Sequence, residues 1–315
     1  MDILDLNAKR GKFLLLVGPM NSGKTETAIR WAENIANHTD CNLLFFKPDI
    51  DVRSPKDRVI SNSSLGKLEF PAITISSQNP EEALEIIKNE KKFVDAIFFD
   101  ELNFFNKKIV EVIEELRKGD GRQRIIVGTG LDKTFRGEPF EPVDLLILSA
   151  DEVEFHHAYC KHILKDENGF KQCKKPASYT MRLVLSEGKE KETYDFFDKE
   201  NRPVLGKYLP VKYYDPTIVV ERKESGEFPR VYYISVCRDC FKIDGKRRVV
   251  EVYDFIRKKK GASLEEIVKK FSEEEDGEII TFLKEEKKIY ERNGKFFATS
   301  YEYDYQLKTY LPKEV

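Results

Sequence analysis

The sequence predicts an α/β fold built on a mostly parallel sheet, and three observations carry that reading. Short apolar runs recur at 13–17, 42–46, 70–75, 96–99, 124–127 and 145–148, with helix-patterned stretches such as 80–88 and 107–118 between them. The runs are apolar at successive rather than alternate positions, as strands covered on both faces are. The first run, Phe13-Leu14-Leu15-Leu16-Val17, leads directly into Gly18-Pro19-Met20-Asn21-Ser22-Gly23-Lys24-Thr25, a complete G-x-x-x-x-G-K-[ST] string.

A strand that enters such a string marks a phosphate-binding loop. Its glycines let the backbone curl so that successive N–H groups point at an anion lying at the N-terminus of the next helix. Lys24 is placed to reach the β- and γ-phosphates of ATP, and Thr25 to hold Mg²⁺. The helix is expected to begin at about Gly23 and to pack Ala28, Ile29, Trp31, Ala32 and Ile35 on the sheet. The second nucleotide-site element is Ala96-Ile97-Phe98-Phe99-Asp100-Glu101, an apolar strand ending in two carboxylates. Asp100 is suited to the Mg²⁺ shell, while Glu101 points to a different side and is free to act as a base. An acidic cap closing a strand before a helix is the simpler alternative for this pair. The expected core is a P-loop NTPase sheet of the RecA-like kind, spanning 1–153.

Beyond it the pattern changes twice. Residues 154–245 carry short β-like pieces, charged loops and Cys160, Cys173, Cys237 and Cys240, with a strongly polar excursion over 187–202. From 246 to 315 three helix-patterned segments precede a hairpin around Asn293-Gly294, an order that resembles a winged helix-turn-helix. Its candidate recognition segment, 272–278, is acidic and would repel phosphates, which argues against duplex DNA and for a protein-interaction or oligomer-stabilising module.

Composition bounds the function class. The 315 residues suffice for about two domains with appendages. Lys and Arg (54) nearly balance Asp and Glu (56), so the formal net charge of -2 gives no overall pull toward nucleic acid or a membrane. The N-terminus is acidic and no apolar segment reaches bilayer length, so neither a secretion signal nor an anchor is expected. A cytoplasmic protein with reduced thiols follows, in which the paired cysteines read as metal ligands rather than disulfides. Cys237-Arg238-Asp239-Cys240 is a C-x-x-C, and with Cys160 and Cys173 it would make a closed four-thiolate zinc site of structural role. His156, His157 or His162 could stand in for Cys160. Cys41 reads as a small core residue.

Further segments occur in order: 47–53 (Lys-Pro-Asp-Ile-Asp-Val-Arg), 100–105 (Asp-Glu-Leu-Asn-Phe-Phe), 130–140 (Gly-Leu-Asp-Lys-Thr-Phe-Arg-Gly-Glu-Pro-Phe), Ala150-Asp151 and 177–182 (Ala-Ser-Tyr-Thr-Met-Arg). With the loop Gly-Pro-Met-x-Ser-Gly-Lys-Thr, the chain resembles the type II, zinc-containing thymidine kinases over roughly residues 11 to 242. The resemblance implies transfer of the ATP γ-phosphoryl group to the 5′-hydroxyl of thymidine. Glu101 would be the general base, Lys24 and Arg53 would hold the phosphates in line, and Asp51 and Asp100 would join the loop residues Gly18 to Thr25 at the nucleotide. Asp51 and Arg53 could equally form a surface ion pair. Met20, Phe104, Leu131, Thr134, Phe135, Phe140, Tyr179, Thr180 and Tyr233 would line the nucleoside pocket.

The resemblance also implies a homotetramer and a lasso-shaped loop, here 182–236, over the nucleoside base. Three departures stand out. The first cysteine pair of the family is usually also C-x-x-C, whereas here residues 162–171 intervene. The lasso is much longer than usual. Leu102-Asn103 stands where the family commonly has a small residue and Gln.

Overall fold

The computed structural model describes residues 11–51, 54–63, 66–118, 123–167, 169–186, 193–217, 229–271, 276–304 and 309–313. Its contacts divide the chain into two compact units, Met1–Leu209 with Ile218–Phe241, and Pro210–Thr217 with Lys242–Val315.

The first unit is organised by a six-stranded sheet. Its early strands are β1 (Phe13–Val17), β2 (Leu43–Pro48), β3 (Arg58–Ser63), β4 (Gly66–Pro71), β5 (Ile73–Ile75), β6 (Ala96–Phe99), β7 (Ile125–Gly130) and β8 (Glu152–Phe155). The sheet order is β5-β2-β6-β7-β1-β8, and every pair in it is parallel. The phosphate-loop strand and the Asp100 strand are thus separated by β7.

Alternation along each strand sends side chains to two separate cores. Leu14, Leu16, Phe45, Phe98 and Val127 meet the helix Lys24–His38 through Ala28, Ile29, Trp31, Ala32 and Ile35. Phe13, Leu15, Val17, Phe46, Phe99 and Ile126 face the helices Glu82–Asn89, Lys108–Lys118 and Val143–Ser149 on the other side. This double coverage explains the unbroken apolar runs. The antiparallel hairpin β3–β4 lies outside the sheet, with Val59, Leu68 and Phe70 packed on the first core. Asp151 braces the opposite edge, accepting the Phe13 N–H at 2.8 Å and pairing with Arg117 at 2.9 Å.

Two expected strands differ. The run 145–148 is helical, within Val143–Ser149, and the sixth strand is β8. Val143 and Leu146 are buried while Leu145 and Leu148 are exposed, a helical three-residue spacing that a short apolar run does not reveal. The stretch 70–75 is two strands, β4 ending at Pro71 and β5 entering the sheet at Ile73.

The cysteine-bearing part of this unit is built on a three-stranded sheet of Tyr208–Pro210, Tyr179–Leu185 and Val231–Val236, the last two paired antiparallel. The intervening residues 162–171 largely form a hairpin, Ile163–Asp166 against Gly169–Gln172. Its ends are drawn together by Cys173 N–H to the His162 carbonyl (2.9 Å) and Cys160 N–H to the Lys175 carbonyl (2.9 Å). The long spacing between the two cysteines is therefore a self-closing insertion. Within the polar excursion, Phe196–Phe197 pairs with Pro203–Val204, and residues 187–192 lie outside those described.

The second unit has the expected order of three helices and a hairpin: Lys246–Lys259, Leu264–Phe271, Asp276–Glu285, then Ile289–Arg292 paired with Lys295–Ala298. Val252, Ile256, Ala262, Ile267 and Ile279 are fully buried in its core, and Tyr214 from Pro210–Thr217 joins them. In the acidic segment, residues 272–275 lie outside those described. Asp276 is buried and paired with Arg248 at 3.1 Å, so its charge does not face solvent.

Candidate active site and cysteine cluster

The phosphate loop leaves β1 at the carboxyl edge of the sheet, where β6 and β7 also end. Left-handed backbone at Asn21 (φ 58°) and Gly23 (φ 85°) turns it into the helix Lys24–His38, for which Gly23 is the cap. A Cβ on Gly18 would stand 2.2 Å from the His156 carbonyl oxygen, so only glycine fits there. Lys24 is buried, and its Nζ donates to the Pro19 carbonyl at 2.8 Å, inside the loop's curve.

Thr25 Oγ1 donates to Asp100 Oδ1 at 2.9 Å, tying the first turn of the helix to the end of β6. Thr129 Oγ1, from β7, donates to the same oxygen at 2.5 Å and also accepts the Glu101 N–H at 3.2 Å. Asp100 is thus a buried carboxylate held by two hydroxyls beside the loop. Glu101 has φ 50° and ψ 48°, left-handed geometry that costs a non-glycine residue about 1–3 kcal/mol. That turn sends Glu101 off the strand axis and starts the short helical turn Leu102–Phe104.

The two departures beside Glu101 fit the local packing. Leu102 is fully buried over Gly128, where an added Cβ would come within 2.4 Å of Leu102 Cδ1. The bulkier side chain occupies space that glycine leaves open. Asn103 Oδ1 accepts the Leu131 N–H at 2.9 Å, which fixes the amide orientation, while its Nδ2 is buried without a hydrogen-bond partner.

The segment that follows β7 carries several of the residues expected to line a nucleoside pocket. Residues 131–140 fold back on themselves, with Thr134 N–H to the Glu138 carbonyl (2.8 Å) and Phe140 N–H to the Asp132 carbonyl (3.1 Å). Thr134, Phe135 and Phe140 are buried, and Leu131 and Phe104 half-buried. The Arg182 guanidinium lies 3.9 Å from the Phe135 ring centroid. Strand register puts Thr180 opposite Ser235 and Arg182 opposite Tyr233, so these four share one face. Met20 is joined to that face: its N–H donates to Thr180 Oγ1 at 2.9 Å and its carbonyl accepts from Ser235 Oγ at 2.5 Å. Tyr179 falls on the opposite face, stacked on Phe241 with centroids 4.7 Å apart, and meets the 131–140 segment at Gly137.

Asp51 is buried, with its carboxylate 3.9 Å from Lys47 Nζ. Lys47 in turn donates to the carbonyls of Ser54, Pro55 and Arg58 at 3.3, 2.9 and 3.2 Å, so a buried ammonium fastens the segment after β2. Arg53 lies outside the described residues.

The sulfur atoms of Cys160, Cys173, Cys237 and Cys240 all lie within 4.8 Å of one another. Cys173 Sγ is 3.9 Å from Cys237 Sγ and 3.8 Å from Cys240 Sγ. A tetrahedral tetrathiolate with metal–sulfur bonds of about 2.3 Å has edges of about 3.8 Å, so the donor set fits a metal ion. Burial pushes the Cys160 thiol up to about 11 and Cys240 up as well. At Cys237 burial acts the same way, but hydrogen bonds from Cys240, Cys160 and Cys173 outweigh it and lower the thiol. The histidines are engaged elsewhere or exposed: His156 Nδ1 meets the Ser22 carbonyl, His162 Nδ1 the Asp195 carbonyl, and His157 is exposed. Tyr194 OH donates to the Cys240 carbonyl at 2.7 Å, anchoring the base of the polar excursion to the cluster.

Sequence reasoning missed Thr129 and Ser235. Each had a signal, a hydroxyl in a strand otherwise apolar or aromatic, at the end of 124–130 and within 231–236. Neither names its partner without the register.

A phosphate loop at the carboxyl edge of a parallel sheet, joined through Thr25 to a strand-end carboxylate, defines a P-loop nucleotide-binding protein. Residues 11–200 match the family model described as thymidine kinase. A thymidine kinase of Mycoplasma capricolum subsp. capricolum is 33% identical over 198 residues, covering 60% of this chain and 90% of that protein. One of Mesoplasma florum is 36% identical over 179 residues, covering 56% and 84%. One of Pyrobaculum aerophilum is 33% identical over 173 residues, covering 54% and 82%. The chain belongs to the thymidine kinase family.

Proposed function

We propose that this chain transfers the γ-phosphoryl group of ATP to the 5′-hydroxyl of thymidine, giving thymidylate. The observation that carries the proposal is the junction at Asp100-Glu101. Asp100 is bound to Thr25 of the phosphate loop, and the next residue is a carboxylate turned aside by left-handed backbone. In this reading Asp100 would serve the nucleotide side, and Glu101, turned off the strand axis, would serve in proton transfer.

Lys24 would exchange the Pro19 carbonyl for the β- and γ-phosphates, and the N–H groups of the loop would cradle them. Thr25 and Asp100 would hold Mg²⁺, which would supply charge neutralisation for the phosphates. Glu101 would accept the 5′-hydroxyl proton as that oxygen attacks phosphorus. Arg53 takes its phosphate-binding role from the family likeness, as does Asp51 at the metal shell. Phe104, Leu131, Thr134, Phe135 and Phe140 would exclude water from the pyrimidine side, with Met20, Thr180 and Tyr233 closing the wall and Tyr179 supporting it from behind. Zn²⁺ on Cys160, Cys173, Cys237 and Cys240 would fix the base of the lasso.

Within this reading 1–153 supplies the phosphate chemistry, 154–245 the nucleoside lid, and 246–315 an interaction module. A cytoplasmic homotetramer is the assembly the family likeness supports, with no role for a membrane or duplex DNA. Among the described residues no helix is long and apolar enough to cross a membrane.

The test is phosphorylation of thymidine, deoxyuridine, deoxycytidine and deoxyadenosine by purified protein with Mg²⁺ and ATP, with each monophosphate resolved. Thymidylate as the dominant product supports the proposal. No product from folded, ATP-binding protein would overturn it in favour of a nucleotide-sensing regulator.

A further inference from the structure

His156 was a candidate zinc ligand by sequence, yet the structure places it against the phosphate loop. It follows β8, the edge strand beside β1, so its backbone runs alongside the point where the loop leaves the sheet. Its N–H donates to the Val17 carbonyl at 2.7 Å, and its carbonyl oxygen lies against Gly18 in the space a Cβ would need. The imidazole then reaches forward, with Nδ1 3.2 Å from the carbonyl oxygen of Ser22. A carbonyl only accepts, so Nδ1 carries the proton in this contact. One residue therefore spans the loop from its entry to its fifth residue. On the imidazole's other side Nε2 stands 3.1 Å from Glu154 Oε1, and the side chain is 11% exposed.

We propose that His156 is a positioning residue for the nucleotide, clasping Ser22 so that the loop's N–H groups stay aimed at the phosphates. Other hydrogen bonds of the loop reach different atoms: Lys24 Nζ donates to the Pro19 carbonyl and, at 3.4 Å, to Ser22 Oγ, Thr180 and Ser235 hold Met20, and Thr25 is tied to Asp100. Ser22 immediately precedes the Gly23 cap, where the peptide groups turn from loop to helix. A donor on the Ser22 carbonyl fixes the orientation of the peptide whose N–H belongs to Gly23, one of the groups that faces an anion in such a loop. The clasp acts through backbone orientation at Ser22, whereas the loop is hydrogen-bonded to the Thr180 and Ser235 face at Met20. Its effect should therefore fall on the nucleotide and spare thymidine.

This inference rests on the assignment of 18–25 as the ATP phosphate loop. The experiment compares His156→Leu, which removes the donor, with His156→Asn, whose Nδ2 can occupy the place of Nδ1. ADP affinity is titrated in the full chain, and KM for ATP and thymidine are measured alongside. His156→Leu should weaken ADP binding and raise the ATP KM roughly threefold to tenfold, as expected for one lost hydrogen bond. The thymidine KM should hold within about twofold, and His156→Asn should recover most of the loss. Unchanged ADP affinity in His156→Leu would overturn the inference, as would an equal loss in His156→Asn or parallel rises in both KM values. Wild-type protein that binds no ADP would instead defeat the phosphate-loop assignment.

Discussion

The backbone N–H of Met20 in the phosphate loop donates to Thr180 Oγ1 across 2.9 Å. Met20 and Thr180 are 160 residues apart in sequence, one from the nucleotide side and the other from the strand expected to face the nucleoside. The loop proposed to hold ATP and the wall proposed to hold the acceptor are thus joined by a direct hydrogen bond.

Thr180→Val should uncouple them. Valine keeps the shape but offers no acceptor, leaving the Met20 N–H unpaired at a cost of about 1 kcal/mol, close to a fivefold change in an equilibrium constant. The expected result is a rise in KM for both ATP and thymidine, with Thr180→Ser near wild type. Steady-state kinetics with each substrate varied in turn checks it.

The cysteine cluster makes a separate, compositional prediction. Purified protein should carry zinc in proportion to chain, and Cys240→Ser should lose it and unfold at lower temperature, because three thiols and a hydroxyl hold the ion less well. Cys41→Ser, away from the cluster, should keep the metal. Elemental analysis of the three proteins reads the outcome.

In the C-terminal unit, Glu266 and Ser263 form a reciprocal cap. The Ser263 N–H donates to Glu266 Oε2 at 2.9 Å, and the Glu266 N–H donates to Ser263 Oγ at 3.3 Å. Hydrogen bonding to Lys259 and to Ser263 holds the Glu266 carboxyl down to about 2, from an ordinary value of 4.5. A carboxyl lowered by folding adds stability that is fully present above its unfolded value and is lost as pH falls through its folded one. The Glu266 contribution should therefore be complete above pH 4.5 and fade between there and about 2. Glu266→Gln should lower the unfolding temperature at pH 6.5, and the gap to wild type should narrow at pH 3.

Much of this was legible in sequence where a local rule acts alone. The loop Gly18–Thr25 is written in residue types that only that backbone requires, and the helix after it buries the residues its spacing named. The paired carboxylates at 100–101 end their strand as expected. What was not legible depended on register or on short apolar segments. The run 145–148 has no period to separate strand from helix, and its neighbours Pro142 and Asp144 supply the helical start. That Thr180 rather than Tyr179 shares a face with Ser235 and Tyr233 follows from pairing with Val231–Val236, which lies far along the chain. His156 could not be separated from a metal ligand by composition, since the same imidazole suits either partner.

Glu101 is proposed as the base that accepts the 5′-hydroxyl proton, with Asp100, Thr25 and Lys24 serving the phosphates beside it. Glu101→Gln preserves size and leaves Asp100, Thr25 and Lys24 in place. The measurement is single-turnover conversion of thymidine to thymidylate by this variant, with ADP affinity measured on the same preparation. Thymidylate formation slowed by about 10²–10⁴-fold with ADP affinity unchanged is the predicted result. Turnover within a few-fold of wild type would contradict it.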